Sequence, residues 1–236
     1  MSREKQLVEV FVQLADTLTT EFEVIELMQT LADTSRDILP ADATGILLAD
    51  QQGHLRVLAT THPAAELLEL FEIQESEGPC FDCFHTGGQV VNVGHDASIA
   101  RWPRFMARAI DAGYPTVHAL PLRLRNQIIG TMNLFCSRPK DLGAQDILVA
   151  QGLCDVATIG LLQERAVREN HLLAEQLQGA LNSRILIEQA KGVLSERKGI
   201  GIDEAFERLR GYARNNHQRL VDVATDLLRG VIQLDD

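Results

Sequence analysis

The segment from Ser183 to Gly230 constrains the fold of this chain more than any other, because three apolar stripes at helical spacing follow one another with two breaks between them. The first stripe is Ile185, Leu186, Ala190, Val193 and Leu194. The second is Ala205, Phe206, Leu209 and Ala213, and the third is Leu220, Val223, Ala224, Leu227, Leu228 and Val231. Gly199 and Gly201 occupy the first break, where glycine closes one helix in the left-handed conformation and starts the next. Gly201 and Glu204 have capping-box spacing, with Gly in place of Ser or Thr. Asn215 and Asn216 occupy the second break, where Asn can end one helix and cap another. Three amphipathic helices with tight connections predict a small bundle, with Ala190, Gly192 and Ala205 as points of close helix approach.

Charge separates this bundle from what precedes it. The whole chain of 236 residues has a formal net charge of -11, yet residues 183–236 hold nine basic and nine acidic side chains. The acidity therefore belongs to the first 182 residues. From Lys191 to Arg219 seven basic residues face four acidic ones, a bias that permits phosphate contact and is equally compatible with a solvated helical face. Overall acidity argues against general duplex-DNA or membrane-surface binding. A protein that reads an RNA loop needs cations for phosphate, and amides, guanidinium planes and aromatics for splayed bases. Lys191, Arg197, Arg208, Arg214 and Arg219 are the candidate phosphate contacts; Tyr212, Asn215 and Asn216 are the candidate base contacts, with core packing as the other reading of Tyr212.

The order Ala190-Lys191-Gly192, Arg197, Ala205-Phe206, Leu209-Arg210, Ala213, Asn216, Leu220 and Asp222-Val223-Ala224 resembles the ANTAR domain of bacterial transcription antiterminators. The resemblance implies RNA binding, in which a dimer recognises a two-hairpin leader RNA and prevents formation of a terminator. It covers the C-terminal segment across all three helices.

Upstream, apolar periodicity predicts helix over residues 4–39, with Leu7, Val10, Phe11, Leu14 and Leu18 in one stripe and Pro40 ending the second. Strands are predicted at Thr44 to Ala49, Leu55 to Thr60, Gln89 to Val93, Thr116 to Leu124 and Gln127 to Cys136, the last two joined by Arg125-Asn126 as a hairpin. Between them lie a helical piece from Ala65 to Phe71, a loop, and a helix from Pro103 to Ala112. Helices before and after an antiparallel set of strands indicate an α+β fold. Glu77-Gly78-Pro79-Cys80, Gly87-Gly88, Arg101-Trp102-Pro103, Phe105, Gly113, Ala119-Leu120-Pro121-Leu122 and Gly130-Thr131-Met132-Asn133-Leu134 resemble a GAF domain, a relative of the PAS fold, over about residues 20–160. That resemblance implies a sensory module, with a small-molecule or redox signal whose identity the residues do not disclose; the cofactor is unknown.

From Ala144 an uninterrupted apolar pattern without Pro leads into the final bundle, which predicts a long helix serving as a coiled coil. Leu173, Leu177 and Leu181 mark its dimer seam, and a parallel homodimer is the expected state. The expected domains are therefore 1–162 (GAF with its N-terminal helix), 163–182 (coiled-coil linker) and 183–236 (ANTAR). No run of about eighteen apolar residues and no signal-peptide profile occur, so the chain is expected in the cytoplasm and off the membrane.

Cys80-Phe81-Asp82-Cys83 is a CxxC, but one pair is half a zinc site, and the other cysteines and histidines are not spaced as a second. No metal and no catalytic residue is assigned. Cys80 and Cys83 can be a redox switch or a structural pair; some GAF-fold proteins reduce free methionine sulfoxide with thiols. The expected function is a non-enzymatic RNA-binding antiterminator under GAF control. The alternatives are a redox-responsive or thiol-catalytic GAF protein and a regulator whose bundle docks protein rather than RNA. Trp102, beside Pro103, is expected to pack under the pocket helix rather than to stack on a ligand.

Overall fold

The computed structural model describes residues 23–125 and 127–234, together with residues 5, 7, 8, 10 and 12. The chain divides into two compact units, Met1–Ala166 and Val167–Asp236. In the first unit α1 (Val24–Ile38) is followed by β1 (Ala43–Ala49), β2 (Leu55–Thr60), α2 (Pro63–Glu75), α3 (Pro79–Thr86), α4 (His95–Arg101), α5 (Pro103–Asp111), β3 (Thr116–Leu124) and β4 (Gln127–Cys136). The long α6 spans Ala144–Lys198, and α7 (Ile202–Asn215) and α8 (Leu220–Arg229) complete the chain.

The four strands form one antiparallel sheet in the order β2-β1-β4-β3. Period-two alternation sends neighbouring residues to opposite faces, and both faces are covered. Ile46, Leu48, Met132 and Leu134 pack with Leu27 and Leu31 of α1 and with Ala150, Leu153 and Leu161 of α6. By length and composition α6 could cross a membrane. Its buried residues in this unit are instead part of a protein core, as in any helix that packs on a sheet. On the opposite face Ala43, Ala119 and Phe135 pack with Leu68 of α2 and with Phe105, Met106 and Ala109 of α5. Trp102 is buried there, with its indole N–H donated to Asp82 at 3.0 Å.

Several expectations are revised. Residues 89–93 form no strand: Val90 makes only an isolated bridge with Ala119, because Asn92 turns to φ 54° and its amide side chain pairs with the backbone of Leu142 in both directions, at 2.9 and 2.7 Å. The predicted loop before residue 103 contains α3 and α4. Of the N-terminal stripe, Phe11, Leu14 and Leu18 lie outside the described residues, as does the turn residue Asn126.

In the second unit Ala190 and Leu194 of α6, Ala205, Leu209 and Ala213 of α7, and Val223, Ala224 and Leu227 of α8 form one core. Ile185 and Val231 are exposed, and Ile187 and Ile232 pack against the core instead. Ala190 and Ala205 are fully buried, as close approach requires, but a β-carbon on Gly192 would meet nothing within 4 Å. Glu204 does not close a capping box at the N-cap Gly201 and pairs with Arg208 at 3.0 Å. Asn216 ends α7, whereas the N-cap of α8 is Arg219.

Candidate functional site

Two regions carry chemistry, one in each unit. In the second unit the α7–α8 junction gathers Tyr212, Arg214, Asn215, Asn216 and Arg219 within one tight turn, which His217 completes at φ 54°. Arg214, Asn215, Asn216 and Arg219 are exposed. Tyr212 is half-buried at the edge of the core, and its carbonyl accepts the Asn216 side-chain amide at 2.9 Å. The cations differ in how far they are committed. Arg219 is held by both oxygens of Asp222, at 2.8 and 2.9 Å, Arg208 by Glu204, and Lys191 by Glu188 at 2.9 Å with its ammonium 5.3 Å from the Phe206 ring. Arg197 and Arg214 are exposed and form no ion pair among the described residues. An exposed intrahelical ion pair contributes only a few tenths of a kcal/mol, so Arg219 can exchange Asp222 for a phosphate at little cost.

Ahead of the bundle, Leu173, Leu177 and Leu181 are 54%, 62% and 53% exposed, and Ile185 continues the same four-residue step. These side chains form an unpartnered apolar stripe on α6, as a helix awaiting a partner would show.

The second region is the interior of the first unit, and sequence reasoning did not find it. Its origin is the unusual orientation of α2. This helix buries Ala65, Leu68, Glu69 and Glu72, and exposes Leu67 and Leu70. Two carboxylates thus occupy positions that an amphipathic helix normally gives to apolar side chains. Asn133 of β4 donates its side-chain amide to Glu69 Oε2 at 2.9 Å and to Glu72 Oε2 at 3.0 Å. Glu72 Oε1 accepts the Cys80 backbone N–H at 2.8 Å, near the N-terminus of α3, where the helix dipole favours an anion. The Cys80 sulfur lies 2.7 Å from the Thr131 hydroxyl. Gly45 and Gly78 wall the two acids, and a β-carbon at either would collide with a carboxylate. Glu69 Oε1 and Asn133 Oδ1 are buried without a hydrogen-bond partner among the described residues.

Burial raises the proton affinity of both acids, and for Glu69 the neighbouring Glu72 charge raises it further. Burial likewise pushes the Cys80 thiol well above its usual range and Cys83 up to about 12. Both cysteines are free and buried; Cys80 packs with Leu47 and Leu55, and Cys83 with the cluster around Trp102 and Phe105. Thiols so protonated are poor nucleophiles, which tells against redox chemistry at the pair. The signal available in the sequence was the run Glu66 to Glu75, whose apolar residues do not form a single helical stripe.

The model of the GAF domain family matches residues 23–161, and that of the ANTAR domain matches residues 175–228. No curated protein matches the chain. Among solved structures, the GAF domain of a phosphoenolpyruvate-protein phosphotransferase from Acinetobacter is similar at 15% identity and a TM-score of 0.52, over 69% of this chain and 97% of that one. Its counterpart from Coxiella burnetii is similar at 13% identity and 0.53, over 71% and 99%. A free methionine-R-sulfoxide reductase from Neisseria meningitidis is similar at 16% identity and 0.50, over 68% and 91%. Identities this low establish a common fold and nothing finer.

Proposed function

The chain belongs to the GAF domain family and carries an ANTAR domain, a module of RNA-binding antitermination, and from this premise we propose that it binds a two-hairpin leader RNA under GAF control. The observation that carries the proposal is the α7–α8 junction. Arg214, Asn215 and Asn216 project into solvent beside Tyr212 and Arg219, the mix of cation, amide and aromatic that unpaired loop bases and their phosphates require. Lys191, Arg197 and Arg208 extend the same phosphate-binding role along α6 and α7.

The active species in this reading is a cytoplasmic homodimer that does not engage membranes or duplex DNA. Its seam is the exposed stripe Leu173, Leu177 and Leu181, whose burial requires a second copy. Two bundles held by one coiled coil engage paired hairpins with a raised effective concentration, and a signal at the GAF unit shifts the population competent to do so. The test is a gel-shift titration against paired-hairpin RNA and a single hairpin of equal length at two salt concentrations. Tight, salt-sensitive preference for the pair is the expected result. Equal, weak binding to both would overturn the proposal and leave the bundle as a protein-docking module.

A further inference from the structure

Glu69, Glu72 and Cys80 place their ligand atoms within 4.8 Å of one another in the interior of the GAF domain, with the orphaned carbonyl of Asn133 beside them. We propose that this cluster is a binding site for one divalent first-row transition-metal ion. The inference rests on the GAF unit being the sensory one and names the chemical class of what it senses.

The surroundings are built to hold the acids. α2 turns two carboxylates inward and two leucines outward, while Gly45 on β1 and Gly78 before α3 leave out the side chains that would collide with them. Removing an ionised carboxylate from water is costly unless it is compensated, so two adjacent ones call for a bound cation or for protonation. No Lys, Arg or His among the described residues makes a hydrogen bond or ion pair with either acid.

A bound cation competes with protons for these two acids. Glu69 Oε1 is buried and accepts no hydrogen bond among the described residues. Asn133 has already given its N–H group to the two carboxylates, so its free atom is an acceptor. A proton bridges two acceptors at most, whereas a metal ion takes one ligand atom from each of Glu69, Glu72 and Cys80. The donor set decides the class of ion. Two carboxylates and a thiolate suit Zn2+, Fe2+ or Co2+, whereas Mg2+ and Ca2+ seek oxygen alone. On binding, the Cys80 thiol releases its proton to solvent as the metal–sulfur bond forms, and the Thr131 hydroxyl donates to the resulting thiolate.

The test uses the full chain, stripped with chelator and titrated with Co2+, whose sulfur-to-metal charge-transfer absorption reports thiolate coordination, and then with Zn2+ in competition. Expected are one ion per chain, a charge-transfer band that Zn2+ abolishes, and a rise in Tm on loading. Cys80→Ser should lose the band, the isosteric Glu69→Gln should weaken Co2+ binding by at least about 10–100-fold, and Cys83→Ser should keep both. Trp102 fluorescence checks that each variant is folded. Absence of the band in the wild-type chain, or a band that survives in Cys80→Ser, overturns the proposal. RNA binding by the same samples is a separate readout: a chain that binds Co2+ but no RNA leaves the metal site standing and removes the antiterminator reading.

Discussion

Gly45 of β1 lies directly against the Glu69 carboxylate, with no room between them for a β-carbon. Gly45→Ala therefore has to displace a buried acid from its Asn133 partner or spread the sheet from α2. Overpacking of this kind costs about 1–3 kcal/mol. Gly179 gives the opposite case, since it sits in α6 with nothing within 4 Å of its missing β-carbon. Gly179→Ala should stabilise the helix by about 0.5–1 kcal/mol. Urea denaturation of both variants against the wild type checks the pair, and equal effects would mean that Gly45 is only a small residue on a strand.

The cations proposed to meet RNA should not contribute equally. Arg214 has no ion pair to break among the described residues, whereas Arg219 must first leave Asp222. Arg214→Ala should weaken binding to every hairpin and lower the salt slope of log K by about one. Arg219→Ala should do less. The double variant Arg214→Ala with Arg219→Ala should flatten the salt dependence further, and an affinity and slope unchanged from wild type would remove this junction from the interface.

Replacing Leu173 and Leu177 with Glu should yield monomers by sedimentation, because the exposed stripe then repels a second copy of itself. Preference for paired over single hairpins should fall by about 100-fold with it, the contribution expected from linking two binding modules. An intact dimer in the variant would place the seam elsewhere on α6.

His118 sets a pH dependence whose direction follows from its contacts. The ring is fully buried, accepts the Asn92 N–H on Nδ1 at 3.2 Å, and donates from Nε2 to the Lys140 carbonyl at 3.1 Å. That arrangement is possible only for the neutral ring, and burial holds its pKa below the ordinary 6.5. The folded state therefore binds fewer protons than the unfolded state. The stabilisation from His118 is fully present above pH 6.5 and is lost as pH falls through the lowered folded-state value. The stability difference between wild type and His118→Gln should narrow between about pH 8 and about pH 5; a constant difference would mean that His118 keeps the same protonation in both states.

How much of this was legible depended on how local the cause was. The β3–β4 hairpin spans Thr116–Leu124 and Gln127–Cys136, as alternation and turn position predicted, because residues paired across a short turn are close in sequence. The three helices of the final bundle were equally legible, since helical spacing defines most of each face, although Ile187 and Ile232 take the core positions expected of Ile185 and Val231. Residues 89–93 also read as a strand, and only the reach of Asn92 to Leu142 explains why they are not one. The α3 helix was missed for a related reason: its first turn is completed by Glu72, a side chain from another helix.

The sequence by itself determined the two-part organisation, the sheet hairpin, the helical bundle and the short polar stretch proposed to meet RNA, because each rests on periodicity or on neighbours along the chain. Only the tertiary structure decided that α2 faces inward with its acids. Its apolar residues favour no face, so the orientation is chosen by what the sheet offers: the Asn133 amide and the space left by Gly45 on β strands, and the backbone amide at the start of α3. Those partners lie up to 64 residues away in the chain, and no local pattern could have brought them together.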